Sequence, residues 1–299
     1  MSKPVWRGLS CVLVLGAASA AISQTMTPTA TPAAWRLAEV GTLRGFDVPE
    51  CVVVDPATGS AYVSNIQTQP GMGWEDDGAA FLSRLRPGGA LSTLHWNAAA
   101  LEGKLNGPKG MCILGRGLYV ADNTRVVRVS LTDGSVRPPI EPPGAQRLND
   151  MATDGEAVYA SDTATGNVFR IAVDGSTRVI QGPPMINGIT FAGKRLFAVS
   201  WEPAGLWELD PSGKLPPRSL GLPGRFVHLD GIEVLEDGTF IISDFHGNAI
   251  YAVGPDGAEV SKLAEVGTPA DIGIDRHRGL LFVPQFDHNQ VVVYRIERD

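Results

Sequence analysis

Cysteine is nearly absent: three residues, at positions 11, 51 and 112 of 299, are too few to staple a small disulfide scaffold, and a chain of this length does not need one. Charge is also sparse, at 19% of residues, which is too little for a disordered chain beside 43% hydrophobic residues. No basic run of the kind that tracks a phosphate backbone occurs, and the net charge is -7, so nucleic acid is not an expected partner. Beyond the first two dozen residues no apolar run approaches the roughly 20 residues of a membrane span. The five histidines show no HExxH spacing and no Gly-x-Ser-x-Gly elbow appears, which leaves a histidine-zinc site or a serine hydrolase without support. What the chain has in quantity is Gly (35) and Pro (22), about one punctuating residue in every five, and this favours short strands joined by turns over long helices.

The N-terminus forms a separate unit. Lys3 and Arg7 precede an apolar stretch from Leu9 to Ala21 and the small-residue sequence AASAAISQ, the three parts of a secretory signal. The expectation is a signal peptide over residues 1–23, cleaved after Ala20 or Ser23, and a periplasmic or extracellular protein with no stable membrane anchor. Cys11 stands before the apolar stretch, where a lipidated cysteine does not belong. Residues 24–35, rich in Thr, Pro and Ala, read as a flexible lead-in, and residues 36–299 as a single domain.

That domain is built from six copies of one unit. PECVVVD, PKGMCIL, LNDMATD, INGITFA, LDGIEVL and PADIGID stack by their second residue, giving a column of Glu50, Lys109, Asn149, Asn187, Asp230 and Ala270. Two places on, Val52, Met111, Met151, Ile189, Ile232 and Ile272 are all apolar, the alternation of a buried strand. Each copy continues into a second strand with Tyr62, Tyr119, Tyr159, Phe197, Ile241 or Phe282 in one position, and then into a third that ends in a Gly-containing turn. The sixth copy reaches its third strand, VVVYRIERD, with no room for a fourth, while LAEVGT at Leu37–Thr42 recurs identically at Leu263–Thr268, where the fifth copy's fourth strand belongs. The fold expected is therefore all-β, a six-bladed β-propeller of four-stranded antiparallel blades, closed by an N-terminal strand that completes the last blade. The first copy is longer because IQTQPGMGWEDDGAA is inserted between its second and third strands, a candidate lid.

In a propeller the starts of the innermost strands converge on the axis, so the column becomes a ring of side chains. Glu50, Asn149, Asn187 and Asp230 offer two carboxylates and two amide oxygens, hard donors suited to Ca²⁺ or a similar divalent ion. With these motifs the chain, from about Trp35 to its end, resembles the gluconolactonase, regucalcin and senescence-marker-protein family of six-bladed propellers. The resemblance implies a central divalent metal, Ca²⁺ first with Zn²⁺, Mg²⁺ or Mn²⁺ as alternatives, held by Glu50, Asn187 and Asp230, with Asn149 of the RLND sequence at the site. It implies metal-assisted hydrolysis of a sugar-type lactone, with Asp230 as general base and Arg147 and Asn149 orienting substrate oxygens. Lys109 departs from that pattern: it either pairs with Glu50 or Asp230 and replaces a metal, or points away and leaves the ring intact. The alternative function is a non-catalytic binding module for a small ligand or partner protein, with the ring neutralised internally.

Around the ring, Asp122, Asp162 and Asp244 recur at the ends of second strands and are expected to cap turns. Trp201, His246, Asn65 and Asn123 follow those strands as candidate pocket walls, and Lys109, Arg147, Asn149, Trp201 and His246 are the expected substrate contacts. Trp74, Glu75, Asp76 and Asp77 of the insertion either close over a ligand or form a solvated acidic loop. Cys51 and Cys112 share parity on adjacent inner strands and are expected to be free buried thiols rather than a disulfide.

Overall fold

A computed structural model describes residue 1 and residues 35–67, 73–222 and 224–298. The expected signal segment and lead-in lie outside the described residues, apart from residue 1 and Trp35. Trp35 begins the first strand, one residue before the expected domain start.

Six four-stranded sheets follow one another around a ring. Blade 1 comprises Pro49–Val54, Ala61–Asn65, Phe81–Leu85 and Leu91–Thr93. Blade 2 comprises Pro108–Leu114, Gly117–Asp122, Arg125–Ser130 and Val136–Ile140. Blade 3 comprises Leu148–Thr153, Ala157–Asp162, Asn167–Ala172 and Thr177–Gln181. Blade 4 comprises Ile186–Ala192, Arg195–Ser200, Gly205–Leu209 and Arg218–Ser219. Blade 5 comprises Leu229–Val234, Phe240–Asp244, Ala249–Val253 and Val260–Glu265. Blade 6 is the composite one: Gly273–Asp275, Leu280–Gln285 and Gln290–Arg298 take Trp35–Arg44 as their outer strand. That strand pairs antiparallel from Trp35 opposite Arg298 to Arg44 opposite Gln290, so the first and last described strands close the ring.

Burial follows position within a blade. Second strands are covered on both faces and are buried almost throughout, which is why their sequences are mostly apolar, with an aromatic residue at one position in five of the six; outer strands such as Leu91–Thr93 are exposed along their length. The core is six wedges, each between neighbouring blades, rather than one central mass. Between blades 6 and 1, for example, Val52, Val63 and Leu85 meet Phe282, Val291 and Val293. Every blade thus contributes one face to each of two wedges, and adhesion is almost entirely apolar.

The inner strands carry the irregularity that matters for function. In blades 1 to 5 the pairing register slips between the first and fourth residues, at Pro49/Val52, Pro108/Met111, Leu148/Met151, Ile186/Ile189 and Leu229/Ile232. A bulge turns side chains away from the regular pleat, and here it falls on the ring column. The freed N–H after the ring residue is taken by a serine of the second strand: Cys51 N donates to Ser64 Oγ (2.9 Å), Asp150 N to Ser161 Oγ (2.9 Å) and Gly231 N to Ser243 Oγ (2.7 Å).

At the residue after each ring position, Cys51, Asp150 and Asp271 are interspersed with Gly110, Gly188 and Gly231. At Gly188 a Cβ would collide with the Asp230 carbonyl oxygen of the next blade, so the glycine is set by close approach of two backbones. Gly188→Ala should therefore cost about 1–3 kcal/mol of stability. Gly41→Ala, in the outer strand where nothing lies within 4 Å of an added Cβ, should change it by no more than about 0.5 kcal/mol. Urea midpoints compare the two; equal midpoints would show that the inner strands spread freely.

Candidate functional site

A cavity of about 550 Å³ opens at the end of the axis where the inner strands begin. Three repeat positions build it. Glu50, Lys109, Asn149, Asn187 and Asp230 form its floor, while the sixth position, Ala270, is fully buried and adds no polar group. Two residues upstream stand Val48, Arg147 and Met185, and immediately after the second strands stand Ile66, Thr163, Trp201, Phe245 and Phe286. The last two sets are locked together by backbone: Ile66 N donates to Val48 O (3.1 Å), Thr163 N to Arg147 O (2.9 Å), Trp201 N to Met185 O (2.9 Å), Phe245 N to His228 O (2.8 Å) and Phe286 N to Thr268 O (3.0 Å). Val48 (φ 52°) and Thr268 (φ 38°), both β-branched, occupy the left-handed region at this corner. Such strain persists only where the surroundings impose it.

The aspartates at the ends of second strands do more than cap their own turns. Asp162 accepts from Gln146 N (2.7 Å) and Arg147 N (3.2 Å) ahead of the ring, as well as from Ala164 N (3.1 Å) and Thr165 N (3.0 Å) in its own turn. Asp244 likewise takes Val227 N, His228 N and Gly247 N at 2.9–3.0 Å, and Asp122 takes Asn106 N and Gly107 N at 2.8 Å. Asn65 fills the role in blade 1, its Oδ1 accepting from Asp47 N (3.1 Å) while its amide donates to Val63 O and Ser83 Oγ. Asn65 is thus buried framework and not pocket wall.

The floor is buried and its oxygens are unmatched. Glu50, Asn149, Asn187 and Asp230 are between 3% and 8% exposed. Glu50 Oε2, Asn149 Oδ1 and Asn187 Oδ1 have no hydrogen-bond partner, each a costly arrangement for a buried acceptor. Burial holds the Glu50 carboxyl well above its usual range; the Asp230 charge adds to this and Lys109 opposes it. Asp230 is pushed up to about 7, by burial first and then by Asp150, against a hydrogen bond from Asn187. Among the described residues no three His, Cys, Asp or Glu side chains cluster as metal ligands, so any cation here would rely on the two amides as well as the two carboxylates. Three unmatched oxygens beside Asp230 fit a hard divalent cation.

Lys109 takes neither of the two expected roles cleanly. Its Nζ lines the cavity but donates to Gly73 O (2.6 Å) and Gly107 O (3.0 Å) and lies 3.6 Å from the centroid of the Trp74 ring. Among the described residues it makes no ion pair with Glu50 or Asp230. Burial lowers its pKa to about 8, with Glu50 opposing that shift. The Arg147 guanidinium stands 5.4 Å from the same indole, so Trp74 is shared by two cations. Asn123 anchors this part of the insertion, donating to Trp74 O (3.2 Å), Glu75 O (3.2 Å) and Asp76 Oδ1 (2.8 Å). Trp74 lines the cavity whereas Glu75, Asp76 and Asp77 are exposed, so the insertion combines both expected characters.

His246 lies outside the cavity lining. It is exposed at the rim, packed edge-on to Phe245 (4.9 Å), with its Nδ1 2.6 Å from His228 Nδ1. The lining position belongs to Phe245, one residue earlier, as it belongs to Ile66 rather than Asn65. Val48, Ile66, Thr163, Met185, Phe245 and Phe286 are among the wall residues that the sequence reading did not name. The usable signal was the residue directly after the polar end of each second strand. A second cavity, about 680 Å³, opens at the opposite end of the axis and is lined by Asp150, Asp271, Cys51 and Cys112. Both cysteines are buried free thiols.

No family model matches the sequence, and no curated protein matches it. Solved structures do match in fold. A proposed gluconolactonase is 18% identical with TM-score 0.64 over 89% of this chain and 94% of that one. Streptogramin B lyase is 12% identical with TM-score 0.62 over 88% and 98%. A catalytically inactive histidine-to-alanine variant of virginiamycin B lyase from Staphylococcus aureus, bound to quinupristin, is 14% identical with TM-score 0.59 over 88% and 99%. At these identities the likeness is one of fold, the six-bladed propeller expected from the repeat.

Because Asp162 satisfies N–H groups on both sides of the corner, Asp162→Ala should cost about 1–3 kcal/mol. It should also loosen Arg147. Slowed amide exchange at Gln146 and Arg147 in the wild type, lost in the variant, is the expected readout; unchanged exchange would show that the backbone corner holds without the carboxylate.

Proposed function

We propose that the protein is a divalent-cation-dependent hydrolase that opens a lactone ring in the cavity at the ring mouth, acting after export. The observation that carries this reading is the set of three buried acceptors without donors, Glu50 Oε2, Asn149 Oδ1 and Asn187 Oδ1, beside the Asp230 carboxylate. The proposed gluconolactonase among the structural neighbours agrees with it in fold and reaction class. Export rests on the charged, apolar and small-residue order of residues 1–23.

Glu50, Asn149, Asn187 and Asp230 would hold the ion. When bound, such an ion polarises an ester carbonyl and lowers the pKa of water. The chain's own residues supply the rest. Arg147, exposed on the cavity wall with no ion pair among the described residues, offers a planar fork of donors for ring and carbonyl oxygens. The Asn149 amide nitrogen adds a directed donor, since its oxygen belongs to the ion set. Asp230 accepts the proton of the attacking water as the new C–O bond forms. The ring C–O bond then breaks, and that proton passes to the departing alkoxide, leaving a hydroxy acid.

The binding-module alternative needed Lys109 to neutralise the ring. Its engagement with Gly73 O, Gly107 O and Trp74 leaves Glu50 and Asp230 without an ion-pair partner among the described residues, which favours a cation instead.

In chelated protein, a cation that binds only the folded state should raise the melting temperature, by about 2.7 kcal/mol of stabilisation at 100 times its Kd. Ca²⁺ should act most strongly among Ca²⁺, Mg²⁺, Mn²⁺ and Zn²⁺, and Glu50→Gln should remove the shift. No shift with any of the four in the wild type would overturn the cation site. Asp230→Asn should abolish lactone hydrolysis while far-ultraviolet circular dichroism stays unchanged; undiminished turnover would remove Asp230 from the reaction.

A further inference from the structure

The cavity wall is divided by chemistry. At the position directly after the second strand, blades 4, 5 and 6 carry Trp201, Phe245 and Phe286 in the lining and blade 3 carries Thr163, whereas Asn123 of blade 2, expected as a wall residue, lies outside the lining and holds the insertion instead. The three rings form a continuous row, with centroids 5.4 Å apart from Trp201 to Phe245 and 5.5 Å from Phe245 to Phe286. Each has its backbone N–H locked to the corner opposite, and Trp201 is backed by the His228 ring, stacked at 4.5 Å and 9°. The row is therefore preformed. Met185, 38% exposed and held at φ 46°, extends it toward solvent. The cationic groups of the cavity, Lys109 and Arg147, stand across from it on blades 2 and 3.

Three aromatic rings and a thioether facing an open cavity are apolar surface that water covers poorly and that an apolar group would cover well. Of these four side chains only the Trp201 indole offers a polar hydrogen, so hydroxyls of a polyhydroxylated ring laid against their faces would find few partners there, although Asp47, Asp287 and Asn289 line the same cavity as polar groups. We propose that the substrates are lactones bearing an alkyl or aryl substituent, the lactone head at the ring floor and the substituent along Trp201, Phe245 and Phe286, in place of the sugar lactones implied by the family resemblance. The assignment of the head rests on the lactone-hydrolase reading; the apolar slot does not.

The test separates the two. Non-hydrolysable δ-lactams with n-alkyl side chains of increasing length, and one polyhydroxylated δ-lactam, are titrated into the Ca²⁺-supplied protein by calorimetry, and kcat/KM is measured for the corresponding lactones. Affinity should rise about fourfold per methylene until the slot is filled, and kcat/KM should rise in parallel. Trp201→Ala should flatten that dependence, and Phe286→Ser, at a half-buried site, should do so independently, each checked for an intact melting transition. A flat dependence in the wild type, or tighter binding of the polyhydroxylated lactam, would overturn the slot. A steep dependence of lactam binding with no turnover of any lactone would uphold the slot and overturn the hydrolase reading; turnover of the polyhydroxylated lactone alone would do the reverse.

Discussion

The mouth of this propeller depends on one interaction repeated around the ring: a polar side chain buried at the end of the second strand gripping the backbone that leads into the inner strand. Asp122, Asp162 and Asp244 do this with two N–H groups each, and Asn65 does it with one. A buried carboxylate is unfavourable unless its lone pairs are filled, and here they are filled by the same N–H groups that must be fixed in place. The result is a corner whose geometry is over-determined. Val48, one residue after the Asp47 N–H that Asn65 grips, can be held at positive φ, and the bulge can fall on the ring residue. Wall and floor are therefore not separate designs. They are the two ends of one clamped segment.

Within the axis the chain concentrates uncompensated acidity. Glu50, Asp150, Asp230 and Asp271 are all buried, and burial raises all four above the usual carboxylate range, whereas Lys109 is the one buried lysine or arginine among the described residues. Asp150 finds partial relief through Ile189 N at 2.6 Å and Met151 N at 2.5 Å. Glu50 has no such relief for Oε2. Lys109 directs its donors to carbonyls and its charge to an indole, so the insertion draws the positive charge aside from the ring carboxylates.

The repeat was legible because a period near 40 residues is a property of the string, and strand alternation, the ring column and the composite last blade all follow from aligning it. The ring column survived translation into space because blades 1 to 5 bulge at the same place, whereas the sixth copy, whose inner strand pairs without a shift, contributes only the buried Ala270. The wall did not survive as well. Asn65 and His246 are polar and conspicuous, yet the cavity is lined by Ile66 and Phe245: the polar residue at the strand end, Asn65 or Asp244, is held by backbone, the next residue is set free to line the cavity, and His246 lies one residue beyond it at the rim. Lys109 could not be resolved from sequence because its partners, Gly73 O and Gly107 O, are main-chain atoms that no side-chain alphabet records.

The composite blade has a consequence in time. Among the described residues, Trp35–Arg44, the first strand in chain order, has Gln290–Arg298 as its one hydrogen-bonded neighbour strand. Until the two pair, the chain is an open arc with an unpaired edge, and that contact is among the most non-local that the described residues allow. Closure of the ring thus depends on one pairing between strands far apart in sequence, and removing Gln290–Arg298 would leave Trp35–Arg44 without the strand it pairs with.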